Sequence, residues 1–362
     1  APAFAQLGAY PQVPGSQLST TYSMPVNGQS VPVQRYNGKS YAWFAFSGTA
    51  NVKVTVSQNI SSYTLSPKSY QIPSTISGRD LFFTLNQPRK MVLRKVNSLS
   101  EELFIFADPL ESNPPILGSP GVVNVVDYGA DSRGSNDSTA ALQRAIDATT
   151  ARAGGGIVYV PQGVYKITDT VYLKSNVNVY LAPGAVLQVP PFTPCCFEYS
   201  SVLVALDASN AKISGRGVVY GNGTQQSTFF NIITTENANN FQLEGIILLD
   251  GMTTALRFQD ARYSGANNIK ILSGSPNPSD GIDIVSSQNL TIDNCFVLSS
   301  DDSTAFGAGD DPRRTVKNDE NITVRNSVFY QTNAGTAIKI IPFIAPRTSG
   351  TLRSTATMSS AY

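Results

Sequence analysis

The sequence predicts an all-β protein: a parallel β-helix preceded by an N-terminal β-sandwich. Three observations predict it. Short alternating apolar runs fill residues 1–107, and none carries a 3.6-residue period. A unit of Asn, apolar, polar, apolar recurs from residue 176 onward. Only one segment, around 136–146, reads as a helix.

In residues 1–107 the strand candidates are Tyr41–Phe46, Val52–Val56, Leu81–Leu85, Met91–Leu93 and Leu103–Phe106. Gly, Pro, Asn and Ser clusters separate them, the pattern of an antiparallel sandwich. Residues 108–120 hold four prolines and read as a linker. The second domain, 121–345, opens with a helix. Asn136-Asp-Ser-Thr139 supplies caps, and Ala140–Ile146 places apolar residues at helical spacing before Gly154-Gly-Gly156.

The repeat then begins, at Asn176, Asn210, Asn240, Asn268, Asn289 and Asn321, with intervals of 34, 30, 28, 21 and 32. One strand-built unit cannot bury its inward row alone. Stacked units can, and their Asn side chains can bond along the stack. A propeller needs four strands per ~40–45 residues, which these intervals miss. Residues 346–362 read as an irregular tail. No cap for the last coil is legible in it, so the expectation includes a solenoid truncated at its C-terminal end.

Composition narrows the chemistry. The chain has 362 residues, 41% hydrophobic and 14% charged, with net charge +1. That gives no basic footprint for nucleic acid. No apolar run reaches the ~18–20 residues that span a bilayer. His is absent, which removes Ser–His–Asp and Cys–His catalysis and every His metal site. Proton chemistry falls to Asp, Glu, Lys, Tyr or Cys. No regular oxygen-ligand spacing for calcium is present, so no metal or cofactor is expected. The first residues read as a mature chain after leader removal. Five sequons, at Asn59, Asn136, Asn222, Asn289 and Asn321, with the low charge, point to a secreted, monomeric protein. Of Cys195, Cys196 and Cys295, one of the adjacent pair could bridge to Cys295.

Acidic residues are scarce, 25 in all. Yet Ser279-Asp-Gly-Ile-Asp283 and Ser299-Ser-Asp-Asp302 lie one coil apart. Alone, each dipeptide is more often a solvated turn. Stacked, Asp280 should sit beneath Asp301 and Asp302, facing one groove. Three carboxylates there repel, so one should stay protonated while the others ionise. That division suits glycoside hydrolysis, in which one acid protonates the leaving oxygen and one base activates water.

Several segments resemble the opening of glycoside hydrolase family 28, the polygalacturonase-like group. They are Asp127-Tyr-Gly-Ala130, Asn136–Ile146, Gly154–Pro161, Gly163-Val-Tyr165 and Leu173–Ala185. Ser279-Asp-Gly-Ile-Asp283 and Ser300-Asp-Asp302 resemble its two Asp segments. The resemblance implies a right-handed β-helix and an inverting hydrolase acting on a pectin-type polysaccharide. Asp301 would be the general acid, and Asp280 and Asp302 would hold the water. Lys339 and Asp283 would contact substrate. Inversion usually keeps acid and base carboxyls about 6.5–9.5 Å apart.

The chain also departs from that family. Ala334 stands where the family carries a His, Gly307-Ala-Gly309 lacks its cation, and Ile338-Lys-Ile340 offers one Lys only. Dextranase-like hydrolases of family 49 share the sandwich and helix arrangement and cleave neutral glucans. A silent carbohydrate-binding β-helix, a calcium-dependent lyase and a structural surface protein complete the alternatives. Arg313, Arg314 and Lys317 follow Asp310-Asp311 in a loop read as mutually neutralised.

Overall fold

The computed structural model describes residues 6–193, 197–274, 278–307, 318–332, 335–341 and 357–358. The chain forms two compact units, which meet in sequence between Pro114 and Pro115.

The first unit is a sandwich of two sheets. In one, Lys39–Ser47 and Leu103–Pro109 lie at the centre; in the other, Ala50–Val56 does. Alternate residues of both sheets, among them Val52, Val54, Phe44, Phe83 and Ile105, share one core. Each such burial stabilises by roughly 1.5–3 kcal/mol relative to exposure. One pairing departs from the antiparallel expectation: Leu103–Pro109 runs parallel to Ser40–Phe46. Expected as the first linker residue, Asp108 is instead the buried end of that strand. It accepts a 2.8 Å bond from Trp43 Nε1 and lies 3.7 Å from the buried Lys90 ammonium. A buried carboxylate needs such partners.

The second unit is a right-handed parallel β-helix. Among the described residues its sheets have nine, eight and seven strands, and successive coils contribute one strand to each. The helix Thr139–Thr150 precedes the regular coils, with its first-turn amide of Thr139 held by Asp137 at 3.1 Å. It ends before Gly155, whose φ is +75° and where a Cβ would meet the Asn176 carbonyl oxygen at 1.8 Å. Inward residues stack in register: Val158, Val179, Ile213, Leu243, Ala266, Ile292 and Val324 form one buried row of the first sheet.

The asparagine ladder exists, with one substitution in its column. Asn210 donates to Asn176 at 3.0 Å, Asn240 to Asn210 at 2.9 Å, and Asn321 to Asn289 at 3.1 Å. All five turn from the third sheet to the first with φ between 54° and 62°, a region Asn tolerates. Asn268 belongs to a different turn, between the first and second sheets. Tyr263, φ 50°, occupies its expected place. The 21-residue step from Asn268 to Asn289 is therefore not a coil.

The expected irregular tail contains a short strand, Thr357–Met358, paired in parallel with Thr323–Val324. Cys295 is buried. Its Sγ lies 3.2 Å from the Asp293 carbonyl and 3.6 Å from that of Ala266, inside the coil. Cys195 and Cys196 lie outside the described residues, as do Ala334, Gly309 and the loop holding Asp310, Asp311, Arg313, Arg314 and Lys317.

Candidate active site

Each coil must turn from the second sheet into the third, and there the sequence spends its acids. The strand Asp280–Val285 opens on Asp280, which pairs in register with Thr254 on the coil before. On the next coil the chain leaves the strand Phe296–Ser299, bends through Ser300–Ser303 and enters Thr304–Phe306. The bend puts the Asp302 amide on Asp280 Oδ1 at 2.9 Å, while the Asp301 amide donates to the Ser279 carbonyl at 3.1 Å. Asp302 therefore stacks on Asp280, and Asp301 stands beside them. An oxygen from each of the three carboxylates lies within 4.8 Å of the others.

That spacing is tighter than the separation expected for an acid and base straddling water and sugar. It makes the three groups feel one another strongly. Burial pushes the Asp280 carboxyl up to about 7, helped by the charges of Asp283, Asp301 and Asp302. Burial also raises Asp283. Asp302 moves the other way: partial burial would raise it, but Lys339 and Thr336 hold it below the usual carboxylate range. The contacts are close, with Lys339 Nζ 2.8 Å from Oδ2 and the Thr336 amide and hydroxyl each 2.9 Å from Oδ1. The Asp302 charge in turn raises Lys339. Below about pH 7 the cluster thus combines a carboxyl that favours its proton, Asp280, with an ionised one, Asp302.

Of the residues singled out in the sequence, Asp280, Asp301, Asp302 and Lys339 come together. Asp283 lies just behind them, only 4% exposed. It points away from the solenoid core, between Ile282 and Ile284, and accepts from Thr254 Oγ1 at 2.8 Å. Arg257 Nη1 is 3.6 Å from the same oxygen. Thr254 and Arg257 thus hold one of its two carboxylate oxygens.

Sequence reading missed Thr254, Arg257, Thr336 and Gly335. The first two become legible only once the coil before Asp280 is in register. Gly335 packs on Asp301 so closely that a Cβ would meet the Asp301 carbonyl carbon at 2.0 Å. This approach seats Thr336 on Asp302.

Residues 122–357 match the family model described as rhamnogalacturonase A/epimerase, pectate lyase-like. The chain belongs to that family. An exo-poly-α-D-galacturonosidase of Dickeya chrysanthemi is 28% identical over 258 residues, covering 58% of this chain and 40% of its own. A probable rhamnogalacturonase A of Aspergillus niger is 26% identical over 220 residues, covering 59% and 46%. The chain thus spans less than half the length of these two relatives. Among solved structures, Dex49A from Penicillium minioluteum superposes with a TM-score of 0.55 over 94% of this chain and 77% of its own, at 15% identity. That likeness is one of fold.

Proposed function

We propose that this family member is a pectin-type glycoside hydrolase whose acid–base chemistry runs on Asp280, Asp301 and Asp302. One observation carries the reading: three carboxylates converge at one turn, one keeping its proton up to about pH 7 and one held ionised. In a chain without His this is the division of labour that glycosidic cleavage needs.

In the proposed cycle the proton held on Asp280 passes to the neighbouring Asp301, which hands it to the glycosidic oxygen. Asp302, anchored by Lys339 and Thr336, draws a proton from the attacking water. Protons balance when the one that Asp302 takes from water passes on to Asp280, which restores the starting state. The half-exposed Lys339 ammonium beside the cluster favours an acidic sugar at the cleavage point. Asp283 serves as the anchor behind Asp280.

Reducing-sugar release from polygalacturonate, rhamnogalacturonan and dextran, measured side by side, tests the reading. Cleavage of a uronate-containing glycan supports it; turnover of dextran alone, or of none, removes the pectin-type assignment. Proton NMR of the first product gives the stereochemistry. An inverted anomer supports direct attack by water. A retained one would make Asp280 or Asp302 a nucleophile, as close carboxyl spacing permits.

The reading also places the protein outside the cell, in keeping with its low charge and sequons. Of the sequons, Asn222 is buried, with its amide nitrogen 2.6 Å from the Val189 carbonyl, and could not accept a glycan in the folded state. Asn59 lies exposed on the sandwich. Glycopeptide mapping of protein secreted from a eukaryotic host should find sugar at Asn59 and none at Asn222.

A further inference from the structure

The turns between the second and third sheets carry more than acids. Among the described residues of the β-helix, four aromatic side chains are exposed: Phe192, Tyr199, Phe229 and Tyr263. Three of the four lie at the corner that holds the acid cluster. Phe192 and Tyr199 sit between the strands Ala185–Gln188 and Ser201–Leu206, and Phe229 sits between Val218–Tyr220 and Asn231–Glu236. Phe192 and Phe229 are 74% and 66% exposed. Burying such surface is favourable, so leaving it open at one corner calls for an occupant.

The register aligns them with the acids. Ser201 pairs with Asn231, the Asn231 side chain accepts from the Thr254 amide, and Thr254 pairs with Asp280. Tyr199 and Phe229 each stand two residues ahead of this row, on adjacent coils. With strands ~4.8 Å apart, Phe229 lies roughly 10 Å before the Asp280 coil and Tyr199 roughly 14 Å before it.

The loops beneath are built to hold this display. Phe197, two residues before Tyr199, and Phe230, next to Phe229, are buried against each other at 4.9 Å between ring centroids. Tyr199 meets Tyr172 edge-on at 6.5 Å, and Lys174 covers the other ring at 5.6 Å. Phe192 and Tyr199 also adopt positive φ, 54° and 53°, which bulky residues seldom do. At the ladder corner the same conformation falls mostly to Asn.

We propose that Tyr199 and Phe229, flanked by Phe192, form a sugar-stacking platform that holds the glycan on the N-terminal-coil side of the acid cluster. The proposal rests on the hydrolase reading for its occupant. Aromatic faces suit the apolar C–H faces of pyranose rings. A chain laid along the solenoid axis would cross Tyr199, Phe229 and the acids in turn. The platform then selects polymers several sugars long over short fragments.

The test uses the full chain carrying Asp301→Asn, so that binding is read without cleavage. Its retardation is measured by affinity electrophoresis in gels holding polygalacturonate, rhamnogalacturonan or dextran. Adding Tyr199→Ala and Phe229→Ala should weaken retention of the bound glycan about tenfold. Phe229→Trp should retain it, and Tyr263→Ala, at the other corner, should change nothing. Equal retention by the double variant, or an equal loss in Tyr263→Ala, overturns the platform. Should the Asp301→Asn parent bind none of the three glycans, the hydrolase reading falls with it. All these side chains are exposed, so unchanged melting temperatures should accompany the binding changes; if the double variant fails to fold, Phe229→Ser alone gives the same reading.

Discussion

Two corners of the same solenoid use opposite strategies. Between the third and first sheets, five of the six turns from 176 to 321 carry Asn in one conformation, bonded to the next Asn wherever Tyr263 does not interrupt the column. Between the second and third sheets the row changes along the stack: Ser201, Asn231, Thr254, Asp280, Asp302 and Thr336 follow one another, with Tyr199 and Phe229 two residues ahead on the first two of these coils. The first corner solves a stacking problem, and repetition is its solution. The second varies its side chains along the stack, which a recognition surface needs and stacking does not. The contrast shows where in a β-helix to look for chemistry: at the turn where periodicity fails while the register continues.

The largest effect should come from the acid corner. Asp301→Asn removes a proton donor without altering shape, and kcat should fall by about 10²- to 10⁴-fold with the melting temperature nearly unchanged. Retained turnover would move the acid role elsewhere. Gly335→Ala comes next. Its Cβ collides with the Asp301 backbone, so Asp301 and Thr336 must shift together. A displacement near 1 Å should lower kcat/KM about 10²-fold in a steady-state assay.

Asn210→Ala probes the other corner. It removes both ladder bonds of Asn210 and leaves Ala at φ 57°. A loss of about 2 kcal/mol in denaturant unfolding is expected, with glycan turnover intact. Equal damage to activity would mean that the corners are not separable.

The last effect is a pH dependence of stability. Unfolded, Asp280 ionises near 3.8; folded, it holds its proton to about 7. The fold therefore binds more protons than the unfolded chain between these values, and stability drains away as pH rises through that window. Asp280→Asn should raise the melting temperature above pH 7 and leave it unchanged below pH 3.8. A gain at acid pH instead would contradict the burial of an uncharged Asp280.

Much of this was legible in the sequence, for identifiable reasons. The inward rows were visible because a strand alternates with period two and the solenoid repeats that pattern. The Asp cluster was visible because acids are rare here and two groups of them fall about a coil apart. The spacing argument was nevertheless partly fortuitous. The interval that suggested a 21-residue coil joined two different turns, whereas the register runs from Asp280 to Asp302, 22 residues. Asn268 misled because Asn favours positive φ at any turn, so residue type alone cannot say which corner it occupies. Thr336 and Arg257 gave no signal, since a Thr or an Arg on a strand has many uses.

The sequence by itself determined the architecture, the absence of imidazole chemistry and the identity of the three acids. Those follow from composition and periodicity, which are properties of the chain. Only the tertiary structure decided which acid keeps a proton and which stays charged, and that Asp283 lies behind the site. Ionisation depends on burial and on neighbours brought in from other coils, such as Lys339 from two strands above Asp283 in the third sheet. Coil lengths vary with their loops, so those neighbours are fixed by register and not by distance along the chain.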